Sequence, residues 1–355
     1  MKASDLKVLK VEFLLTRRCQ YRCSYCKIVD PKSLRSQKEL TTFQVCQSII
    51  FISRTWPGAP IIFFGGEPTV RDDLPSIIKC CVDHGVKHAV ISNSMRVLKD
   101  SEYADKLVEA GLSNWSTSFD GATLGLVTDP SVLKKSIQGV DALRMFRDKY
   151  GIRDLVTCIT VTKKNIEALP DIIQDLTKEG IWSICTPLQC PLPILSYDYS
   201  SGNIADLPSQ KQVEESAQIL SFMARSGRFL MHNEPGWFDL WPAHFRTQTW
   251  KCRDKGNLTI DADGSLRLCV DIAFPFSMSI WDLYMSYNVE RYSDALLKSP
   301  PCNGCFWDPA FESLQRATRE GTTQEEGRKS FRHEMTNEQI GQLLPEAQKW
   351  FVKTK

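Results

Sequence analysis

From residue 8 to about 190 the chain alternates short β-type runs with helix-length amphipathic stretches, and this alternation limits the folds open to it. Val8–Thr16, Ala59–Phe64, Lys87–Ser92, Ser113–Phe119, Leu155–Thr162 and Ile181–Thr186 read as strands. Thr42–Arg54, Leu74–His84, Ser101–Ala110, Ser131–Lys149 and Ile166–Glu179 read as the helices between them. Strand–helix–strand repeats fold as parallel units with right-handed crossovers. Two α/β architectures accept six strands of this kind, a doubly wound open sheet and a barrel, and periodicity does not choose between them. In both, ligands gather at the C-terminal ends of the strands. Five such ends carry distinctive residues: the cysteines after the first strand, Gly65–Pro68, Ser92–Ser94, Asp120–Gly121 and Lys163–Asn165.

The rhythm changes after Cys190. Pro191–Pro208 is a Pro/Ser/Tyr-rich linker or lid. A helix over Gln212–Ser226 comes next, then Asn257–Ile260 and Ser265–Val270 flank Asp263–Gly264 as a hairpin. The tail from Glu312 is charged and helical in pattern. The expected division is a core over residues 1–225, a second region over 226–320 and a helical tail over 321–355.

Composition narrows function. The net charge is +2 with no basic stripe, which argues against nucleic acid as a partner. No run of 18 apolar residues is present, so no membrane helix is expected, and Met1–Leu6 lacks the apolar core of a signal peptide. A cytoplasmic protein is the expectation. Its 13 cysteines are then reduced, and clustered ones point to metal ligation or catalysis rather than disulfides. Cys46, Cys80, Cys81, Cys158, Cys185 and Cys190 lie in apolar surroundings and read as core filler.

Cys19, Cys23 and Cys26 are spaced three residues and then two apart on one loop. Three thiolates can bind three irons of a cubane and leave the fourth open. An open metal position is where a substrate or cofactor binds. A zinc site is the alternative that spacing leaves standing.

The Cys-x3-Cys-x-aromatic-Cys loop after the first strand resembles the radical SAM superfamily. Phe64-Gly65-Gly66-Glu67-Pro68 resembles that family's Gly-Gly-Glu-Pro strand end, and Ser92-Asn93-Ser94 loosely resembles its ribose-contacting turn, often Thr-Asn-Gly. Ser118, Asp120 and Gly121 resemble a fourth-strand Ser-x-Asp-Gly motif, and Asn165 fits a recurring position after the fifth strand. The resemblance covers residues 8–190 and implies a partial (β/α)6 TIM-like barrel. It implies a [4Fe–4S] cluster on Cys19, Cys23 and Cys26 whose open iron chelates S-adenosylmethionine. Electron transfer into the sulfonium then releases a 5′-deoxyadenosyl radical. It implies cofactor contacts from Tyr25 (near the adenine), Gly65, Gly66, Glu67, Pro68, Ser92, Asn93, Ser118, Asp120 and Asn165. Gly65 and Gly66 are expected to let backbone approach the ligand closely.

Cys252, Gly264 and Cys269 form Cys-x11-Gly-x4-Cys, and Cys302 and Cys305 form Cys-x2-Cys. Four thiolates can close a zinc site or fully ligate a [4Fe–4S] cluster, and ligand count does not discriminate. The pattern resembles the opening of the SPASM extension of radical SAM enzymes. Asp308–Arg319 contains no cysteine, so the shorter twitch version is implied, a small C-terminal iron–sulfur domain with one auxiliary cluster. A fully ligated cluster can only move electrons, which makes an oxidative outcome natural.

Many relatives with this extension modify ribosomally made peptides. Only 18 residues precede Cys19, so the N-terminal peptide-binding module is expected to be absent. That opens a second reading, a sugar or aminocyclitol dehydrogenase or epimerase. A third is a non-catalytic, zinc-stabilised binding protein. A flavodoxin or ferredoxin is the expected reductant. Cys185 and Cys190, at the end of the sixth strand, are candidate hydrogen-atom donors. His232, Glu234, Trp237 and His244 are weighed as a pocket lining, and Trp182 and Trp241 read as core.

Overall fold

The computed structural model describes residues 1–21, 23, 26, 38–119, 139–188, 204–247, 251–252, 256–269, 276–298 and 302–303. Six strands alternate with helices as the sequence implies: β1 (Lys10–Thr16), β2 (Ile61–Gly65), β3 (His88–Ser92), β4 (Asn114–Ser118), β5 (Asp154–Val161) and β6 (Trp182–Pro187). The first helices are α1 (Thr42–Thr55), α2 (Leu74–Asp83), α3 (Met95–Lys99), α4 (Ser101–Glu109), α5 (Gly139–Tyr150) and α6 (Leu169–Lys178). Local chemistry starts them. Thr41 and Gln44 form a reciprocal capping box at α1, and Pro75 and Pro170 occupy first-turn positions of α2 and α6.

The strands lie side by side in sequence order, β6-β5-β4-β3-β2-β1, and every one of these pairs is parallel. That order decides between the two architectures. Right-handed crossovers that all step the same way put every helix on one face, whereas a doubly wound sheet must reverse direction. Val11, Phe13, Phe63, Val90, Trp115 and Ile159 accordingly enter one core with the helices, where Trp115 lies 4.9 Å from Phe146 of α5. The alternate positions, including Ile91, Ser118, Cys158, Thr160 and Ile184, face the other way and are half-buried. The sheet is singly wound, a barrel wall with one face free of helices among the described residues, and β6 and β1 do not pair.

The C-terminal half extends this sheet. After α7 (Gln210–Ser226) and α8 (Pro235–Thr247), strand β8 (Asn257–Ile260) pairs in parallel with β1, and β9 (Leu266–Arg267) turns back antiparallel on β8. The expected hairpin is present, with Gly264 at φ +87° in its turn. Its pairing to β1 is not signalled in the sequence. Two further pieces, β7 (Lys251–Cys252) and β10 (Cys302–Asn303), form a separate antiparallel pair. At the opposite edge, Met231 bridges Ser183 of β6. No helix among the described residues is long and apolar enough to cross a membrane.

Candidate functional site

The site is built at the C-terminal ends of β1, β2 and β3. The ladder between β1 and β2 continues beyond the strands: Gly66 N donates to Thr16 O and Glu67 N to Arg18 O, both at 2.8 Å. This close approach is why two glycines stand here. A Cβ on Gly66 would lie 2.7 Å from the carbonyl carbon of Arg18, and one on Gly65 would collide with the Thr16 carbonyl. The neighbour filling the glycine space is the start of the cysteine loop itself, where the sequence reading expected a ligand.

Cys19 and Cys26 pack on Leu14, Phe64 and Ile91, a small apolar group on the helix-free face. Cys26 N donates to Cys23 O at 3.1 Å, turning the loop between them. Burial, with the nearby charges of Glu67, Cys23 and Cys26, pushes the Cys19 thiol up to about 11, although the Tyr21 backbone N–H opposes the shift. The Cys19 sulfur accepts from Tyr21 N at 3.4 Å and lies 4.0 Å from Asn93 Nδ2. N–H donors around cysteinyl sulfur are a normal feature of iron–sulfur ligation. The residue types suit a cluster, with three half-buried cysteines on one loop, an apolar seat and N–H donors nearby, but among the described residues no three such side chains are grouped closely enough to hold a metal ion.

The Glu67 carboxylate is 1% exposed and engaged within the protein. Oε1 accepts from Thr69 N (2.9 Å), Thr69 Oγ1 (2.7 Å) and Ser92 Oγ (2.8 Å), and Oε2 accepts from Asn93 N (2.7 Å). Burial raises its pKa, and the same four hydrogen bonds oppose that rise. Glu67 thus ties the turn at Pro68 to the exit of β3. Gln20 Nε2 donates to Asn93 Oδ1 at 3.0 Å and links the cysteine loop to the same exit.

Ser94 stands where the resembling motif has glycine. It has φ +62° and is fully buried. Its Oγ meets Thr117 Oγ1 at 2.8 Å and accepts from Trp115 Nε1 at 3.0 Å, which offsets the cost of a left-handed serine. The backbone shape of the motif survives although its glycine does not.

Of the remaining sequence candidates, Ser118 is half-buried at the end of β4 on the helix-free face. Asn165 is 1% exposed and is used by its own loop: Oδ1 accepts from Thr162 N at 2.8 Å and Nδ2 donates to Thr160 O at 2.9 Å. Cys185 is fully buried on the helix side, where Asn233 and Trp237 bond to its backbone. Cys158, read as core filler, is half-buried on the helix-free face opposite Ser118. Trp237 and Trp241 are core as expected, while Trp182 is half-buried and stacks on His232 at 4.8 Å. Tyr25, Asp120, Gly121, Cys190 and Cys305 lie outside the described residues, as does the side chain of His244. Cys252 and Cys302 are described as backbone only, and the register of β7 and β10 sets them directly opposite each other. Cys269 comes after β9 and is half-buried.

Residues 13–176 match the family model of the radical SAM superfamily. This segment is similar to the radical SAM superfamily. Fe-coproporphyrin III synthase of Methanosarcina barkeri is 30% identical over 48% of this chain and 41% of its own length. PqqA peptide cyclase of Bradyrhizobium diazoefficiens is 31% identical over 47% of this chain and 42% of its own. The chain spans less than half the length of these two curated relatives. A GTP 3′,8-cyclase of Thermococcus kodakarensis, described as probable, is 24% identical over 74% of this chain and 85% of its own. In fold, the chain resembles Streptococcus suis SuiB bound to the precursor peptide SuiA. The TM-score is 0.60 at 11% identity, over 82% of this chain and 67% of SuiB.

Proposed function

We propose that this chain reductively cleaves S-adenosylmethionine and abstracts hydrogen from a substrate C–H bond, with a second iron–sulfur centre accepting the substrate electron. The observation that carries the reading is the packing of Cys19 and Cys26 beside Leu14 and Phe64, with Gly65–Pro68 and Ser92–Asn93 at adjacent strand ends, in a segment that the radical SAM family model matches. Cys19, Cys23 and Cys26 would hold a [4Fe–4S] cluster, which when bound would supply the electron for cleavage of the sulfonium. The protein's own work is positioning. Leu14, Phe64 and Ile91 keep water from the thiols; Gly65 and Gly66 let the loop sit against β2; Glu67 fixes the exit of β3. Tyr25, Gly65–Pro68, Ser92, Asn93, Ser118 and Asp120 are the proposed neighbours of S-adenosylmethionine, with Asn165 shaping its loop.

Cys252, Cys269, Cys302 and Cys305 are the proposed ligands of the auxiliary [4Fe–4S] cluster. The opposed backbones of Cys252 and Cys302 support a shared ligand. A ribosomally made peptide is the favoured substrate, supported by the peptide-linked names of two similar proteins. A small molecule is the second reading, favoured by the greater coverage of the GTP 3′,8-cyclase. A flavodoxin or ferredoxin supplies electrons in a reducing cytoplasm.

Anaerobic reconstitution tests the reading. It requires a brown protein with two iron–sulfur centres that forms 5′-deoxyadenosine from S-adenosylmethionine and a strong reductant. A folded, iron-loaded protein that makes none overturns it. Zinc at the second site in protein purified without oxygen overturns the electron-acceptor role. A folded Cys269→Ala variant should still release 5′-deoxyadenosine while forming little oxidised product.

A further inference from the structure

The segment that carries Cys19, Cys23 and Cys26 leaves the sheet at Thr16–Arg18 and rejoins the described fold at Glu39–Leu40. Both feet stand on the 257–269 hairpin, more than 200 residues away in sequence. On the outgoing foot, Arg17 Nε donates to Asp261 Oδ1 at 3.0 Å and its terminal nitrogen reaches Oδ2. On the return foot, Leu40 N donates to Ala262 O at 2.7 Å, and the Leu40 side chain takes the space beside Gly264. Glu39 joins the two feet, accepting from Arg18 at 3.1 and 3.0 Å and from the Thr16 hydroxyl.

Asp261 does more than pair with Arg17. Its Oδ2 also accepts from Arg267 Nη1 at 3.1 Å, and Arg267 Nε donates to the backbone carbonyl of Cys269 at 3.4 Å. The three charged side chains are at most 9% exposed. A buried ion pair seldom adds stability over apolar replacement, but it fixes geometry, and removing one partner is costly. Here the fixed geometry runs from Cys19 through Arg18, Arg17, Asp261 and Arg267 to Cys269. Cys19 and Cys269, distant in sequence, are thereby tied to one buried base.

We propose that Asp261 is a positioning residue that makes this hairpin the base of the cysteine segment, so that metal binding at Cys269 and at Cys19, Cys23 and Cys26 is coupled through one chain of buried hydrogen bonds. The metal part of this inference rests on the iron–sulfur reading above; the clamp itself does not. Coupling of this kind is reciprocal, so occupancy of either group stabilises the other.

The test uses the full chain with Asp261→Asn, Arg267→Gln and Cys269→Ala. In metal-free protein, hydrogen exchange of Asp261→Asn should speed up together at residues 16–18 and 39–41 and stay unchanged in β4 and β5. In reconstituted protein, Cys269→Ala should shift the electron paramagnetic resonance signal of the first cluster and hasten its loss to chelator by about tenfold, the scale of outer-shell effects on metal affinity. Arg267→Gln leaves Arg17 and Asp261 as a one-to-one pair, so it folds even if Asp261→Asn does not. It should abolish the effect of Cys269→Ala on the first cluster. A folded Asp261→Asn with wild-type exchange at both feet overturns the clamp. A first cluster indifferent to Cys269→Ala, or a Cys269→Ala effect that persists in Arg267→Gln, overturns the coupling. Wild-type protein that takes up no cluster overturns the functional reading instead, and the exchange measurement still decides the clamp.

Discussion

Gly66→Ala is the smallest change that should separate the site from the rest of the fold. A Cβ at Gly66 would lie 2.7 Å from the Arg18 carbonyl carbon and 2.9 Å from that of Arg17, against 3.4 Å for ordinary contact. The chain must therefore retreat by at least roughly 0.7 Å, and what retreats is backbone, which has no rotamer to escape into. The Glu67 N–H loses its 2.8 Å bond to the Arg18 carbonyl. Leaving a buried amide unsatisfied costs about 1–3 kcal/mol. Cys19 is the next residue along, so the displacement passes to the thiol, and a misplacement near 1 Å in a reacting geometry can cost about a hundredfold in rate. We expect Gly66→Ala to melt only a few degrees lower and to cleave S-adenosylmethionine at least tenfold more slowly. Calorimetric S-adenosylmethionine affinity, thermal melting and 5′-deoxyadenosine formation check it. Gly85→Ala is the control: Gly85 has φ +65° with open space around the Cβ position, so it should lose stability and keep cleavage. Wild-type melting and cleavage in Gly66→Ala would refute the packing argument.

Glu67→Gln should destabilise by about 1–3 kcal/mol, because its oxygen can replace only one carboxylate oxygen and its amide nitrogen then faces either Asn93 N or the Thr69 and Ser92 donors, from which it cannot accept. Chemical denaturation measures it, and an unchanged midpoint counts against the role of Glu67. In the metal-free protein, a small alkylating reagent should label Cys158 well before the fully buried Cys185 and Cys81, and peptide mass mapping with time reads the order. Burial raises the Asp261 carboxyl, but hydrogen bonding to Arg17 and the charges of Arg17 and Arg267 outweigh it and hold the group below the ordinary range. Its stabilisation is present above the unfolded value near 3.9 and is lost as pH falls through the folded value. Asp261→Asn should flatten the stability curve below about pH 4 relative to wild type, and parallel slopes there would contradict the pairing.

The six strands and the cysteine loop were legible because both are local signals: a period of two, helix caps, and cysteines close in sequence. The sequence order of the strands was not readable from periodicity, since doubly wound and barrel folds share it. Glu67 and the two glycines were found by resemblance, but their contacts lie within the protein, which no spacing reveals. Of two cysteines read as core filler, Cys185 is in the core and Cys158 is half-buried on the other face. Both sit in apolar runs, and only strand register decides that one faces the helix-free side and the other the core. Arg17, Asp261 and Arg267 carried no signal, because ordinary charged residues become a network only when β8 meets β1.

That meeting has a consequence for biosynthesis. Thr259 of β8 reaches Glu12 of β1 across 247 residues. At about 5–20 residues per second, the partner of β1 leaves the ribosome roughly 12–50 s after β1 itself. Through that interval β1 offers a free edge, apolar on one face and followed by reactive thiols on the other. Unpaired edges invite aggregation, and half-made thiol sites invite oxidation. Nascent chains stalled before residue 257 should therefore depend on chaperones, and iron should enter the first site only after the 257–269 hairpin has been made.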